Sequence, residues 1–216
     1  MLPGLSTLDA MTLGTAGFTA ALARHRMETN GQAPDRGPLL ITGASGGVGS
    51  IAVELFASGG YEVVAVSGKP EAAAYLRERG AREILAPEAL ALGANPLERA
   101  RWAGAIDNVG GELLAGILRH IDLWGNVASI GMAGGAALPT TVMPHILRGV
   151  SILGISSNNC PLPLRLALWK KLAGEWRPRN IAALRSDIIG FDGLDRAFTR
   201  LLDRQVIGRI VVQQIN

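Results

Sequence analysis

Cysteine is almost missing from this chain: Cys160 is the single one in 216 residues. That excludes an internal disulfide and a cysteine-based zinc site. Charge is also sparse. Asp, Glu, Lys and Arg make up 18% of the residues and form no run of one sign, which argues against a disordered chain or a nucleic-acid binder. The formal net charge of +3 is too small and too scattered to line a phosphate-tracking groove. No apolar stretch approaches the length needed to cross a bilayer, and no basic, apolar and small-residue leader opens the chain. The expected compartment is the cytoplasm, with no membrane and no nucleic acid as partner. His25, His120 and His145 lie far apart, without Cys, Asp or Glu at ligand spacing, so a structural role is expected for each and no metal. What remains is 48% hydrophobic, enough for a substantial core in one large domain or a domain with an appendage.

The informative stretch is 39–49, LLITGASGGVG. A buried strand (Leu39, Leu40, Ile41) runs into a turn carrying Gly43, Gly46, Gly47 and Gly49, then into an apolar helix beginning near Val48. Gly46 lets backbone approach a pyrophosphate, and Gly49 lets the helix pack closely on the strand. First-turn N–H groups and the positive end of the helix dipole then face the negative charge. The strand-to-helix context is what gives a glycine-rich motif its meaning.

A dinucleotide fold needs a second strand about 20 residues further on, ending beside the adenosine ribose. Tyr61–Val66 (YEVVAV) supplies it after the Gly59-Gly60 turn. An NAD-preferring site usually places Asp or Glu at its end; here Ser67-Gly68-Lys69 stands instead. A carboxylate would repel a 2′-phosphate, whereas a hydroxyl, an unobstructed backbone N–H and an ammonium would bind one. The expected cofactor is therefore NADP(H).

Alternation continues along the chain. A helix is expected over 7–29, followed by a loop to Pro38. Strand 39–43 leads to helix 48–58, strand 61–66 to helix 70–79, and a short strand spans 83–85. Strand 103–108, helix 111–121, strand 125–131, a helical segment at 142–148 and strand 151–156 complete the series. This predicts an α/β fold: a doubly wound parallel sheet (Rossmann) with helices on both faces. Ligands should then meet the carboxyl ends of the strands, where loops 44–47, 67–69, 108–111, 132–135 and 156–159 are expected to open together. The resulting division is 1–37 as connecting helix and loop, 38–160 as NADP-binding domain, and 161–216 as C-terminal helices and terminal strand. In that tail, 161–176 is expected to turn Leu162, Leu166, Trp169 and Leu172 inward, and 192–203 to do so with Leu194, Phe198 and Leu201. The apolar terminal strand 208–212 has no evident partner within the chain. The four tryptophans show no stacking pattern and read as core or interface residues.

With these residues in place, the chain resembles the zinc-independent branch of the medium-chain dehydrogenase/reductase superfamily, in its quinone oxidoreductase and acrylyl-CoA reductase group. GTAGFTA (14–20), TGASGGVGS (42–50), VVAVSGK (63–69), AGAIDNVGG (103–111), GMAGG (131–135), LPTTVMPHILRGVSILGISS (138–157) and GRIVV (208–212) carry the resemblance over nearly the whole chain. It implies that Ser45, Gly46, Gly47 and Val48 cradle the pyrophosphate and that Ser67, Gly68 and Lys69 hold the 2′-phosphate. Asn108 would lie near the cofactor's middle, Ile130, Gly131 and Met132 would border the nicotinamide, and Arg209 would lie nearby. Members of the family carry an N-terminal, partly open β-barrel of about a hundred residues. Its absence here implies a fragment, an isolated domain or a truncated gene product, and leaves the terminal strand as part of that barrel. The edge near 151–156 would pair across a two-fold axis in a homodimer.

Residues 42–49 also satisfy the glycine pattern of short-chain dehydrogenases. Those enzymes need Tyr-x-x-x-Lys, but Tyr61 is followed by Ala65 and Tyr75 by Arg79. Tyr75 is better placed as a helix residue capping the adenine side. Asp107 is expected to cap a helix or orient a loop rather than act as a base, and Ser45 lacks the elbow and partner histidine of a nucleophile. The function implied is NADPH-dependent reduction of the double bond of a conjugated carbonyl, such as an acrylyl-CoA-like thioester, or of a quinone. The small-molecule acceptor and the catalytic acid stay undefined. The alternative is an NADPH-binding module without turnover, a redox sensor or structural remnant.

Overall fold

The computed structural model describes residues 3–214; the outer ends of the expected first and last segments, 1–2 and 215–216, lie outside the described residues. Six parallel strands form the main sheet: β1 (Leu39–Ile41), β2 (Val63–Val66), β3 (Glu83–Leu85), β4 (Trp102–Asp107), β5 (Ile121–Ser129) and β6 (Ser151–Gly154). Their order is β3-β2-β1-β4-β5-β6. Strand order reverses between β1 and β4, and a doubly wound sheet opens a crevice at that point. The expected fold class is the one found.

The central strands β1 (LLI) and β2 (VVAV) are continuous buried apolar runs because both faces of the sheet are covered there. Leu39 and Ile41 of β1 join one core cluster with residues of α1 (Thr7–Thr29), α2 (Gly47–Ser58) and α6 (Leu162–Ala173). Leu40 points to the other cluster, with Leu114, Ile117 and Leu118 of α4 (Gly111–Leu118). Each such fully buried Leu or Ile stabilises the fold by roughly 1.5–3 kcal/mol. Ser6 caps α1 by accepting from the Asp9 N–H at 3.0 Å. Two shorter helices, α3 (Ala73–Glu78) and α5 (Met143–Arg148), complete the crossovers. Among the described residues no helix is long and apolar enough to cross a membrane.

Several expectations need correction. The helix expected to reach 121 stops at Leu118, because β5 starts at Ile121 and pairs there with Trp102 before the register shifts. Trp124, at φ 57, lies in the interrupted stretch and is exposed, unlike buried Trp102 and Trp176. The terminal strand does have a partner in the chain. β8 (Arg209–Val212) pairs in parallel with β7 (Arg185–Ile189), a segment whose polar start, Arg-Ser-Asp, disguised it. In α6 the inward residues are Leu168 and Leu172, while Leu162 and Leu166 are exposed. In α7 (Leu194–Leu202) Ala197 is buried, and Phe198 and Leu201 face outward. Periodicity tells which residues share a face, not which face is covered.

Candidate functional site

The carboxyl ends of β1, β2, β4 and β5 border a cleft of about 940 Å³. Its floor is the start of α2. The cap residue, Gly46, is extended (φ −79, ψ 179), and no side chain bonds to the first turn. Ser, Thr, Asp or Asn usually satisfies those N–H groups; here they are left for a ligand, at the positive end of the helix dipole. Gly49 makes the geometry possible. A Cβ there would lie 2.3 Å from the Gly43 carbonyl oxygen, so α2 leaves β1 as tightly as backbone allows.

At the end of β2 the Ser67 hydroxyl donates to Ser45 Oγ (2.9 Å) and accepts from the Lys69 N–H (3.1 Å). The Lys69 ammonium reaches over the rim to the Val206 carbonyl (2.5 Å). Burial pulls its pKa below the usual lysine value, with Glu71 opposing.

At the end of β4, Asp107 is fully buried. Its carboxylate accepts from Thr42 Oγ1 (2.7 Å), the Gly110 N–H (2.7 Å) and the Val109 N–H (3.3 Å). Burial raises its pKa, and these three bonds work the other way. The carboxylate thus ties down the turn that presents Asn108, as expected. Asn108 donates from Nδ2 to the Thr42 carbonyl (2.7 Å), leaving Oδ1 buried and without a partner among the described residues. Gly131 lies across from it, where a Cβ would come 2.2 Å from the Asn108 carbonyl oxygen.

Of the residues singled out from sequence, Ser45, Gly46, Gly47, Val48, Ser67, Gly68, Lys69, Asn108, Ile130 and Gly131 all line this cleft. Met132 does not: it is 71% exposed, and Ala133 takes its place. Arg209 lies behind the first turn of α2. Its Nε donates to the Thr12 carbonyl (3.0 Å), and its Nη1 sits 3.0 Å from where a Cβ on Gly47 would be. Burial lowers its pKa, so it is no solvated surface charge. Loop 156–159 does not join the cleft; Ser156 and Asn159 line a separate cavity of about 470 Å³ with His25 and Cys160. Tyr75, expected to cap the adenine side, is not among the residues lining the cleft. Its hydroxyl is buried against Gly208 and its ring lies under Arg79. Sequence reasoning missed Pro87, Leu113, Asp203 and Arg204 in the lining. The last two follow α7 directly, where only the loop's spatial return could reveal them.

An uncapped helix start, an unpartnered buried amide oxygen and an ammonium at the rim together fit a phosphorylated dinucleotide. The sequence pattern of the zinc-binding dehydrogenases matches residues 47–172, more than half of the chain. The chain belongs to that family. Its relatives include YhfP of Bacillus subtilis, whose name marks it as a candidate quinone oxidoreductase, 43% identical over 97% of this chain and 64% of its own length. Acrylyl-CoA reductase AcuI of Ruegeria pomeroyi is 45% identical over 97% of this chain and 63% of its own. The crystal structure of the YhdH oxidoreductase of Salmonella enterica in complex with NADP superposes with a TM-score of 0.94, at 42% identity, covering all of this chain and 65% of that one. The chain thus spans about 64% of the length of such relatives and corresponds to a medium-chain dehydrogenase/reductase cofactor-domain portion. Despite the family's name, no group of three or more His, Cys, Asp or Glu able to hold a metal ion occurs among the described residues.

Proposed function

We propose that this chain binds NADP(H) and forms the coenzyme half of a zinc-independent oxidoreductase that reduces the double bond of a conjugated carbonyl, such as an acrylyl-CoA-like thioester, or a quinone. The observation that carries the coenzyme choice is the end of β2, where Ser67, Gly68 and Lys69 line the cleft and no carboxylate stands in their place. Bound coenzyme would supply the hydride. The chain's own residues would seat it. Backbone N–H groups of α2 would face the diphosphate, with the Arg209 charge behind that turn, Lys69 would face the 2′-phosphate, and Asn108 Oδ1 would accept from a donor on the coenzyme. The names of AcuI and YhfP support the acceptor class.

The test is thermal melting of the purified chain with each coenzyme. NADPH should raise the midpoint much more than NADH; equal shifts would refute the Ser67/Lys69 argument. A second reading, a binding module without turnover, is favoured by the β5 end of the cleft, where Ile130 and Gly131 offer no side chain able to give or take a proton. Mixing chain, NADPH and a conjugated enone or quinone separates the two, since binding without coenzyme oxidation supports the module. We also propose a homodimer through β6, which lies at the sheet edge with backbone groups open to a second strand. Gel filtration at low concentration tests it.

A further inference from the structure

The stretch 203–206, between α7 and β8, lies along the wall of the same cleft, with Asp203 and Arg204 in the lining. Two hydrogen bonds pin it to the rim. At one end the Lys69 ammonium donates to the Val206 carbonyl; at the other the Arg204 guanidinium donates to the Ala133 carbonyl (3.2 Å). Lys69 follows β2 and Ala133 follows β5, so the two tethers straddle the ends of β1 and β4. A dinucleotide binds across such a reversal of strand order. Arg204 sits at φ 58 because it closes α7: its N–H donates to the Leu201 carbonyl (3.1 Å) and the Gln205 N–H to the Arg200 carbonyl (2.9 Å), the left-handed ending common to helices and usually given to glycine. Asp203 is the one carboxylate in the lining, and Arg204 makes no ion pair with it or with any other acid among the described residues.

We propose that Arg204 is a diphosphate clamp, exchanging the Ala133 carbonyl for the phosphates that the start of α2 holds from the other side. The inference rests on the coenzyme reading above. Because NADH and NADPH share the diphosphate, Arg204 serves both equally, whereas Lys69 serves the 2′-phosphate alone.

The test titrates NADPH and NADH into the unaltered chain and into Arg204→Ala, Arg204→Lys and Arg204→Gly, following tryptophan fluorescence, with melting curves alongside. Arg204→Ala should weaken both coenzymes about tenfold, the effect of losing a hydrogen bond to a charged group, and leave their ratio unchanged. Arg204→Lys should recover part of the loss. Arg204→Gly relaxes the positive φ, so it should melt no lower than the unaltered chain and still lose the same affinity; a merely structural turn residue would move stability and affinity together. Unchanged affinity in Arg204→Ala, or a loss confined to NADPH, would overturn the clamp and leave the coenzyme reading standing. An unaltered chain that binds neither coenzyme would overturn both.

Discussion

Gly49 and Gly46 stand three residues apart, yet their replacement by alanine should fail in different ways. A methyl on Gly49 would sit 2.3 Å from the Gly43 oxygen, 2.7 Å from Ala44 Cα and 2.8 Å from the Gly43 carbonyl carbon. Comfortable carbon contacts lie near 3.5–4.0 Å, so α2 would have to retreat from β1 by about 1 Å. All three obstacles are backbone, with no side chain free to swing aside. The cost should therefore fall at the upper end of overpacking, about 3 kcal/mol. For a chain of this length that lowers the melting midpoint by roughly 6–12 °C.

Gly46→Ala differs because Gly46 has backbone angles open to any residue and its added methyl would meet only the Gly43 oxygen, at 3.3 Å. Its midpoint should stay within about 2 °C of the unaltered chain. The methyl would instead occupy the space where phosphate meets the first turn of α2. At a hundredfold excess over its dissociation constant, NADPH should stabilise the unaltered chain by about 2.7 kcal/mol, and Gly46→Ala should lose most of that shift. Melting curves of the three proteins with and without NADPH decide the matter. Gly49→Ala melting with the unaltered chain would show that the helix does not leave the strand this tightly. A full NADPH shift in Gly46→Ala would show that the coenzyme does not approach this backbone.

Two further outcomes concern charge. Burial lowers the pKa of Lys69, so its ammonium is lost as pH rises through a value below the ordinary 10.5. NADPH affinity should decline in that window while NADH affinity holds, and parallel declines in the two would refute the assignment. Asp107→Asn places an amide donor against the Gly110 N–H and should cost about 1–2 kcal/mol by urea unfolding. Because the Asp107 pKa is raised in the fold, its contribution is full below the unfolded value and falls as pH climbs through the folded one. The deficit of the variant should thus be largest below about pH 4 and narrow above it; a deficit that widens with pH would contradict the burial argument.

The sheet and most of its cleft could be read from residues alone because both are encoded locally. Leu39–Ile41 followed by glycines, and Val63–Val66 followed by Ser-Gly-Lys, each fix a strand and the loop at its end. What escaped depends on contacts between distant segments. β7 begins Arg-Ser-Asp and becomes a strand only beside β8. Arg204 enters the cleft because Lys69, 137 residues away from Val206 in sequence, holds the returning chain. The apolar stripe of α7 was legible as a stripe, but its direction was not. Packing Ala197 inward leaves Phe198 and Leu201 about half exposed (54% and 52%).

The composition of the cleft explains why coenzyme and acceptor differ so much in what this chain reveals about them. Most contacts offered to a dinucleotide come from backbone: the N–H groups of α2, the glycines at 46, 47, 68 and 131, and the turn fixed by Asp107. Such contacts are set by the fold, and the fold is strongly determined by its buried apolar strands. The ionisable groups of the lining are Lys69, Asp203 and Arg204. Lys69 is at the β2 end, and the other two lie on the returning stretch. The β5 end, which a nicotinamide would reach, is bordered by Ile130 and Gly131, neither able to give or take a proton from its side chain. Reduction of a conjugated carbonyl or a quinone needs a proton as well as a hydride. On the proposed function the chain would fix the hydride donor's position, and the proton would come from solvent, from the returning stretch that carries Asp203 and Arg204, or from groups outside the lining.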